Sequence, residues 1–156
     1  MNRLKISEGG QPVYLEDLQL LQDNQSALMA ALVSALTDRT GVCWLYPQQM
    51  TLEGDTNGIQ TKTYAANTLV VDGVLYPMQQ TTVQVAEDAT LFVCIKEETT
   101  TDRLFEDGVT RGVRTVGSAY LSESTVGALR SWQLDKVDCL INLLTALING
   151  SGIWEN

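Results

Sequence analysis

Thr68-Leu69-Val70-Val71-Asp72-Gly73-Val74-Leu75-Tyr76 decides how this chain folds. Two short apolar runs flank Asp72-Gly73, a pair suited to the positive φ angles that a type I′ turn needs at both central positions. The stretch therefore predicts a tight antiparallel hairpin. Pro77 follows at once and has no amide hydrogen for a sheet ladder, so the second strand belongs near an edge.

Working outward, the β character extends from about Val42 to Ser122. Val42 to Tyr46 is a compact apolar run, and Gly54-Asp55-Thr56-Asn57-Gly58 reads as a loop by composition. Val83 and Val85 alternate with polar residues. Thr90 to Lys96 (TLFVCIK) is apolar on both faces, as in a strand covered on two sides. The polar run Glu97 to Asp102 is expected to separate it from Arg103 to Glu106, and Asp107-Gly108 marks a further turn. Val109, Val113, Val116, Tyr120 and Leu121 suggest two last strands. Short strands joined by turns predict a small antiparallel β sandwich or open barrel.

Both flanks read as helices. Tyr14, Leu18, Leu21, Gln25, Leu28, Leu32 and Ala35 recur at spacings of four and three, a heptad-like seam over Tyr14 to Thr37. Glu16 and Asp17 suit the positive end of the helix dipole, and Arg39 with Gly41 supplies a stop. At the other end, Ser124 is read as an N-cap. Leu134, Val137, Ile141, Leu144 and Ile148 form a second seam, widened by Leu140 and Leu147 and ended by Gly150. The expected class is α+β: an N-terminal extended arm and amphipathic helix, the β domain, and a C-terminal amphipathic helix. The divisions fall at 1–41 (arm and docking or oligomerisation helix), 42–123 (β-rich) and 124–156 (C-terminal helix and tail). Leu4 and Ile6 alternate with polar residues in the arm, which could add to a strand edge.

Composition narrows the chemistry. The 156 residues contain no histidine, which removes Ser–His–Asp and Cys–His catalysis and imidazole metal sites. No phosphate-cradling glycine loop is present. Asp55, Asn57 and Gly58 lack the glycine position and the distal glutamate of a calcium loop. No cofactor is expected. Net charge of -9 and a pI near 4.3 oppose capture of nucleic acid or anionic membrane. Cys43, Cys94 and Cys139 are odd in number and without Cys-x-x-Cys spacing, which fits reduced thiols in a reducing compartment. MNRLKISEGG has no apolar signal core, and no apolar run reaches membrane-spanning length.

Three readings follow. In the first, the helical seams meet other polypeptides, and Gln25 fixes register by bonding its copies across a symmetric bundle. In the second, the helices complete one chain's own core and the β module binds carbohydrate or protein, with Trp44, Trp132 and Trp154 as stacking surfaces. The third is a paired-carboxylate hydrolase using Glu97, Glu98, Asp102, Glu106 or Asp107, although that run reads more simply as solvated surface charge. The first is preferred: a non-enzymatic assembly module with Tyr14, Leu18, Leu21, Gln25, Leu28, Leu32, Leu134, Val137, Ile141, Leu144 and Ile148 at the interface.

The segment GGQPVYLEDLQLLQDNQ, a glycine-containing lead, a proline and then an Asp-Leu-x-x-Leu-Gln helix, resembles the opening of small tail-fibre and tail-associated structural proteins of bacteriophages and prophages. LVVDGVLYPM resembles their β-hairpins. The resemblance covers about the first 35 residues and one hairpin, and it carries no catalytic residue across. It implies a virion subunit made in the host bacterial cytoplasm, often trimeric, docking on other virion proteins of a tail, baseplate or capsid. Because no repeat or receptor-binding tip is visible, an adaptor or short fibre fits better than a long fibre.

Overall fold

The computed structural model describes Pro12 and residues 14–150. The expected N-terminal arm, with Leu4 and Ile6, and the tail with Trp154 lie outside the described residues.

Helix α1 runs Leu15–Leu36, matching the heptad-like pattern. The backbone N–H of Tyr14 donates to the Asp17 carboxylate at 3.1 Å, satisfying one amide ahead of the first turn. At the other end Thr37 Oγ1 donates to the Val33 carbonyl at 2.6 Å and accepts from Gly41 N at 2.8 Å. Asp38, Arg39 and Gly41 then take positive φ and turn the chain into the sheets.

Nine strands follow: β1 Val42–Trp44, β2 Met50–Thr56, β3 Ile59–Tyr64, β4 Asn67–Val71, β5 Val74–Met78, β6 Thr81–Ala86, β7 Phe92–Leu104, β8 Thr110–Ser122 and β9 Arg130–Gln133. They form three antiparallel three-stranded sheets, ordered β1-β4-β5, β2-β3-β6 and β8-β7-β9. None of these closes into a barrel. The Asp72-Gly73 hairpin forms as expected: Val71 pairs with Val74, and both turn residues have positive φ. Pro77 lies on β5, the edge strand of its sheet. Val93, Cys94 and Ile95 are buried on β7 between β8 and β9, as their two-faced apolar character predicts.

One core joins the sheets. Trp44, Leu69, Val71, Tyr76 and Met78 of the first sheet meet Tyr64 and Val85 of the second and Val93 and Ile95 of the third. Asn67, a buried polar residue, ties the connection after β1. Its side chain accepts from Thr68 N at 2.8 Å and donates to the Tyr46 carbonyl at 2.9 Å and to Gln48 Oε1 at 3.1 Å. Arg130 on β9 pairs with Asp72 in the β4–β5 turn at 2.7 Å, a contact between two sheets.

Three expectations are corrected. Gly54, Asp55 and Thr56 are strand residues of β2, and the turn is Asn57-Gly58 alone, both at positive φ. The run Glu97 to Asp102 does not interrupt a strand: β7 continues to Leu104 and pairs with an equally unbroken β8. Residues 124 to 139 form no α-helix. Ser124 Oγ accepts from Val126 N at 3.2 Å in a local turn, Gly127 has positive φ, and Arg130–Gln133 joins β7 as β9. Leu134 sits in a 3-10 turn (Leu134–Lys136), and Val137 is extended and buried in the sheet core. Their separation of three residues therefore does not place them on the C-terminal helix α2, which runs Leu140–Gly150.

Candidate self-assembly interface

The placement of α1 on the body follows from which stripe of the helix finds a partner. Val33 packs with Cys43 and Val70 in a second, smaller core, capped by Leu45, Leu140 and Leu143. Ala30 lies next to the β4–β5 turn, where Gly73 comes close enough that any side chain there would strike Met29 and Ala30. Leu20, Asn24, Ala30, Val33, Ser34 and Thr37, the partly or fully covered residues of this face, recur at helical spacings.

The sequence seam lies on a different stripe. At about 100° per residue, Leu18, Leu21, Leu28 and Leu32 centre roughly opposite the covered stripe, with Leu28 at its border about 40° from Asn24. All four are 50–55% exposed, with Tyr14 and Gln25 exposed beside them. Leu15 and Met29 widen the same apolar surface. α2 repeats the arrangement. Leu140 and Leu143 face the small core, while Ile141, Leu144, Leu147 and, in part, Ile148 reach the surface. Of the eleven seam residues, nine therefore contribute exposed or partly exposed helix surface or its N-terminal flank, and Leu134 and Val137 do not.

This pattern is energetically expensive for a lone chain in water. Fully burying a leucine is worth roughly 1.5–3 kcal/mol, so each half-exposed one leaves about 1 kcal/mol to be gained. A contiguous row of such residues is the usual mark of a contact surface. Gln25 sits within the row as the one polar member between Leu21 and Leu28, and its exposure leaves the amide available to a facing helix.

The groups considered for chemistry are not gathered at a site. Glu97 accepts a hydrogen bond from Tyr76 OH at 2.8 Å. Glu98 is ion-paired with Lys96 at 2.9 Å, and Asp107 with Arg111 at 2.6 Å; these partners hold the Glu98 and Asp107 carboxyls below their ordinary range. Asp102 and Glu106 are exposed farther along the same ribbon. Among the described residues no cluster of three or more acidic or cysteine side chains could hold a metal ion. Cys43, Cys94 and Cys139 are free and buried, and burial pushes the Cys43 and Cys94 thiols up, away from the reactive thiolate. Trp44, proposed as a stacking surface, is 1% exposed and unavailable to a sugar. Trp132 is partly covered, with the Arg130 guanidinium 4.9 Å above its ring. No described helix is long and apolar enough to cross a membrane.

No family model, no curated protein and no solved structure matches the chain.

Proposed function

We propose that the protein is a non-enzymatic structural subunit that self-assembles through α1 and docks on other proteins of a phage virion, as an adaptor in a tail, baseplate or short fibre. The observation that carries this reading is the row Leu18, Leu21, Leu28 and Leu32, half exposed on a helix already anchored by a different face. A helix serving only its own chain's core would turn its most apolar stripe inward. Here the inward stripe is Leu20, Asn24, Ala30, Ser34 and Thr37 around one buried valine.

In this reading the three sheets form an open sandwich that serves as a platform, and α1 and α2 present the contact surface. A symmetric bundle, three-fold by preference, brings the Gln25 side chains together, where amides can both donate and accept across the axis. The virion assignment rests on the likeness of the N-terminal helix and the LVVDGVLYPM hairpin to tail-associated proteins, together with the surface just described.

The test is Leu21→Asp with Leu28→Asp. Both positions are exposed in the isolated chain, so the β-rich circular dichroism spectrum is expected to persist while the mass falls to the 17.1 kDa of one chain. An oligomer of unchanged mass would remove α1 as the contact.

A further inference from the structure

Of the six strands that edge the three sheets, β2 alone is exposed at every residue. Met50 is 47% and Leu52 51% exposed. Among the described residues β2 pairs with β3 only, so the amides and carbonyls of its other side lack a strand partner. The space beside Gly54 is open, for a side chain there would meet nothing within 4 Å. Other edges are engaged: β1 is bridged at Trp44 to Cys139, and β5 meets β8 where Tyr76 lies against Gly117.

The charges on this edge are Glu53 and Asp55, both acidic. Asp55 accepts from Gln60 Nε2 at 3.4 Å, and no ion pair engages either carboxylate among the described residues. Lys62, on β3 opposite Leu52, is the one base on the strands of this sheet, so two carboxylates face one lysine across the sheet and none on the edge itself. A second copy's β2 is therefore a poor partner: antiparallel pairing centred on Glu53 would set like charges opposite one another. The irregularity between Leu52 and Gly54 leaves Met50 to Leu52 as the regular part of the edge, with Glu53 at its end.

A sequence of complementary character lies in the same chain. The N-terminal lead, outside the described residues, reads Asn2-Arg3-Leu4-Lys5-Ile6-Ser7, apolar residues alternating with bases. With Glu8 counted, residues 1–13 still hold two bases against one acid in a chain of net charge -9. An antiparallel register along β2 sets Leu4 opposite Leu52, Ile6 opposite Met50 and Arg3 opposite Glu53. Lys5 then lies diagonal to Glu53 on the Arg3 face, and Glu8 falls beyond the strand, opposite Gln48.

We infer that residues 3–7 of one copy add as a fourth strand to the β2 edge of a second copy, in this register. Main-chain hydrogen bonds supply the affinity, Leu4 and Ile6 cover Leu52 and Met50, and Arg3 against Glu53 fixes the register. The receiving edge belongs to a neighbour because of where the lead begins. α1 packs on β4, β5 and α2, and Tyr14 stands about 24 Å along the helix axis from the Ala30 contact. Ser7 to Val13 span at most about 25 Å, so the strand is offered to the copy that meets α1 rather than to its own second sheet. This contact rests on the self-assembly reading for its second copy and uses a surface that α1 does not.

The test is disulfide formation between two differently tagged, co-expressed full-length copies, one carrying Ser7→Cys and the other Gln49→Cys, which the register sets opposite each other at a spacing a disulfide can close. Native cysteines are buried, so only the introduced thiols are available. A product carrying both tags is expected well above the yield with an exposed control, Val126→Cys, in place of Gln49→Cys. It should fall about fivefold with Arg3→Glu and return when Glu53→Arg is placed in the receiving copy. A yield no higher than the control, or one indifferent to the Arg3 reversal, overturns the inference. Light scattering on the same sample separates the two contacts. An oligomer without the cross-link overturns the added strand alone, whereas a 17.1 kDa monomer overturns the self-assembly reading and the added strand together.

Discussion

One side of the Tyr76 ring, at Cδ1 and Cε1, lies against Gly117 and leaves no room for even a methyl group: a Cβ on Gly117 would come within 2.6 Å of both carbons. This contact joins the edge strand of the first sheet to β8 of the third, and the Tyr76 hydroxyl completes it by donating to Glu97 at 2.8 Å. Gly117→Ala is expected to cost about 1–3 kcal/mol, the usual penalty for overpacking a fitted contact. Urea unfolding checks it; an unchanged midpoint would mean that the ring moves freely.

Tyr76 also sets a pH dependence. Burial first, and the bond to Glu97 second, push its hydroxyl up to about 12. The folded value lies above the ordinary value of 10.0, so the folded state holds this proton more tightly. The resulting stabilisation is complete below pH ~10 and is lost as pH rises toward 12. Tyr76→Phe should therefore flatten the fall in stability over that window, and cost about 1 kcal/mol near pH 8 for the lost bond. Equal alkaline slopes in the two proteins would contradict this.

Gly73 fixes where α1 sits. It has φ +83, and a Cβ there would lie 2.7 Å from Met29 and 2.8 Å from the Ala30 nitrogen, both on the helix backbone or its root. Gly73→Ala combines about 1–2 kcal/mol of left-handed strain with a clash that can be relieved only by lifting the helix. A drop in stability together with faster amide exchange in α1 around Ala30 is the expected result. Loss of stability with unchanged exchange there would restrict the effect to the turn.

Asn67 bonds the part-buried Tyr46 amide and carbonyl and the Thr68 amide, so Asn67→Ala should cost about 1–3 kcal/mol. Denaturant unfolding measures it. A cost below 0.5 kcal/mol, the size of a surface effect, would mean that water replaces the amide.

Elements with strong local chemistry were legible from the residues alone. Asp72-Gly73 admits few turns, and the leucine spacing of α1 admits few faces. The errors fall where local and tertiary signals part. Gly54 and the polar Glu97–Asp102 run look like loops because strands normally carry one buried face, yet here both lie on strands, β2 and β7, that are exposed on most of their length. Asn57-Gly58 was the readable signal for the first of these, since Asn-Gly favours the same turn as Asp-Gly. In the C-terminal segment the spacing of Leu134 and Val137 coincided with a helix by chance. Gly127 and the pairing of Trp132 with Val93 draw that stretch into the sheet instead. The seam on α1 was legible as apolar; that it faces away from its own chain could only come from the placement of Val33 and Gly73.

The mass of the unmodified protein, measured by light scattering over a dilution series in moderate salt, tests the central claim most directly. A discrete multiple of 17.1 kDa, with three copies favoured, is predicted at micromolar concentration, and Gln25→Leu should keep the fold while broadening that single species into several. A clean 17.1 kDa particle at every concentration would contradict the account.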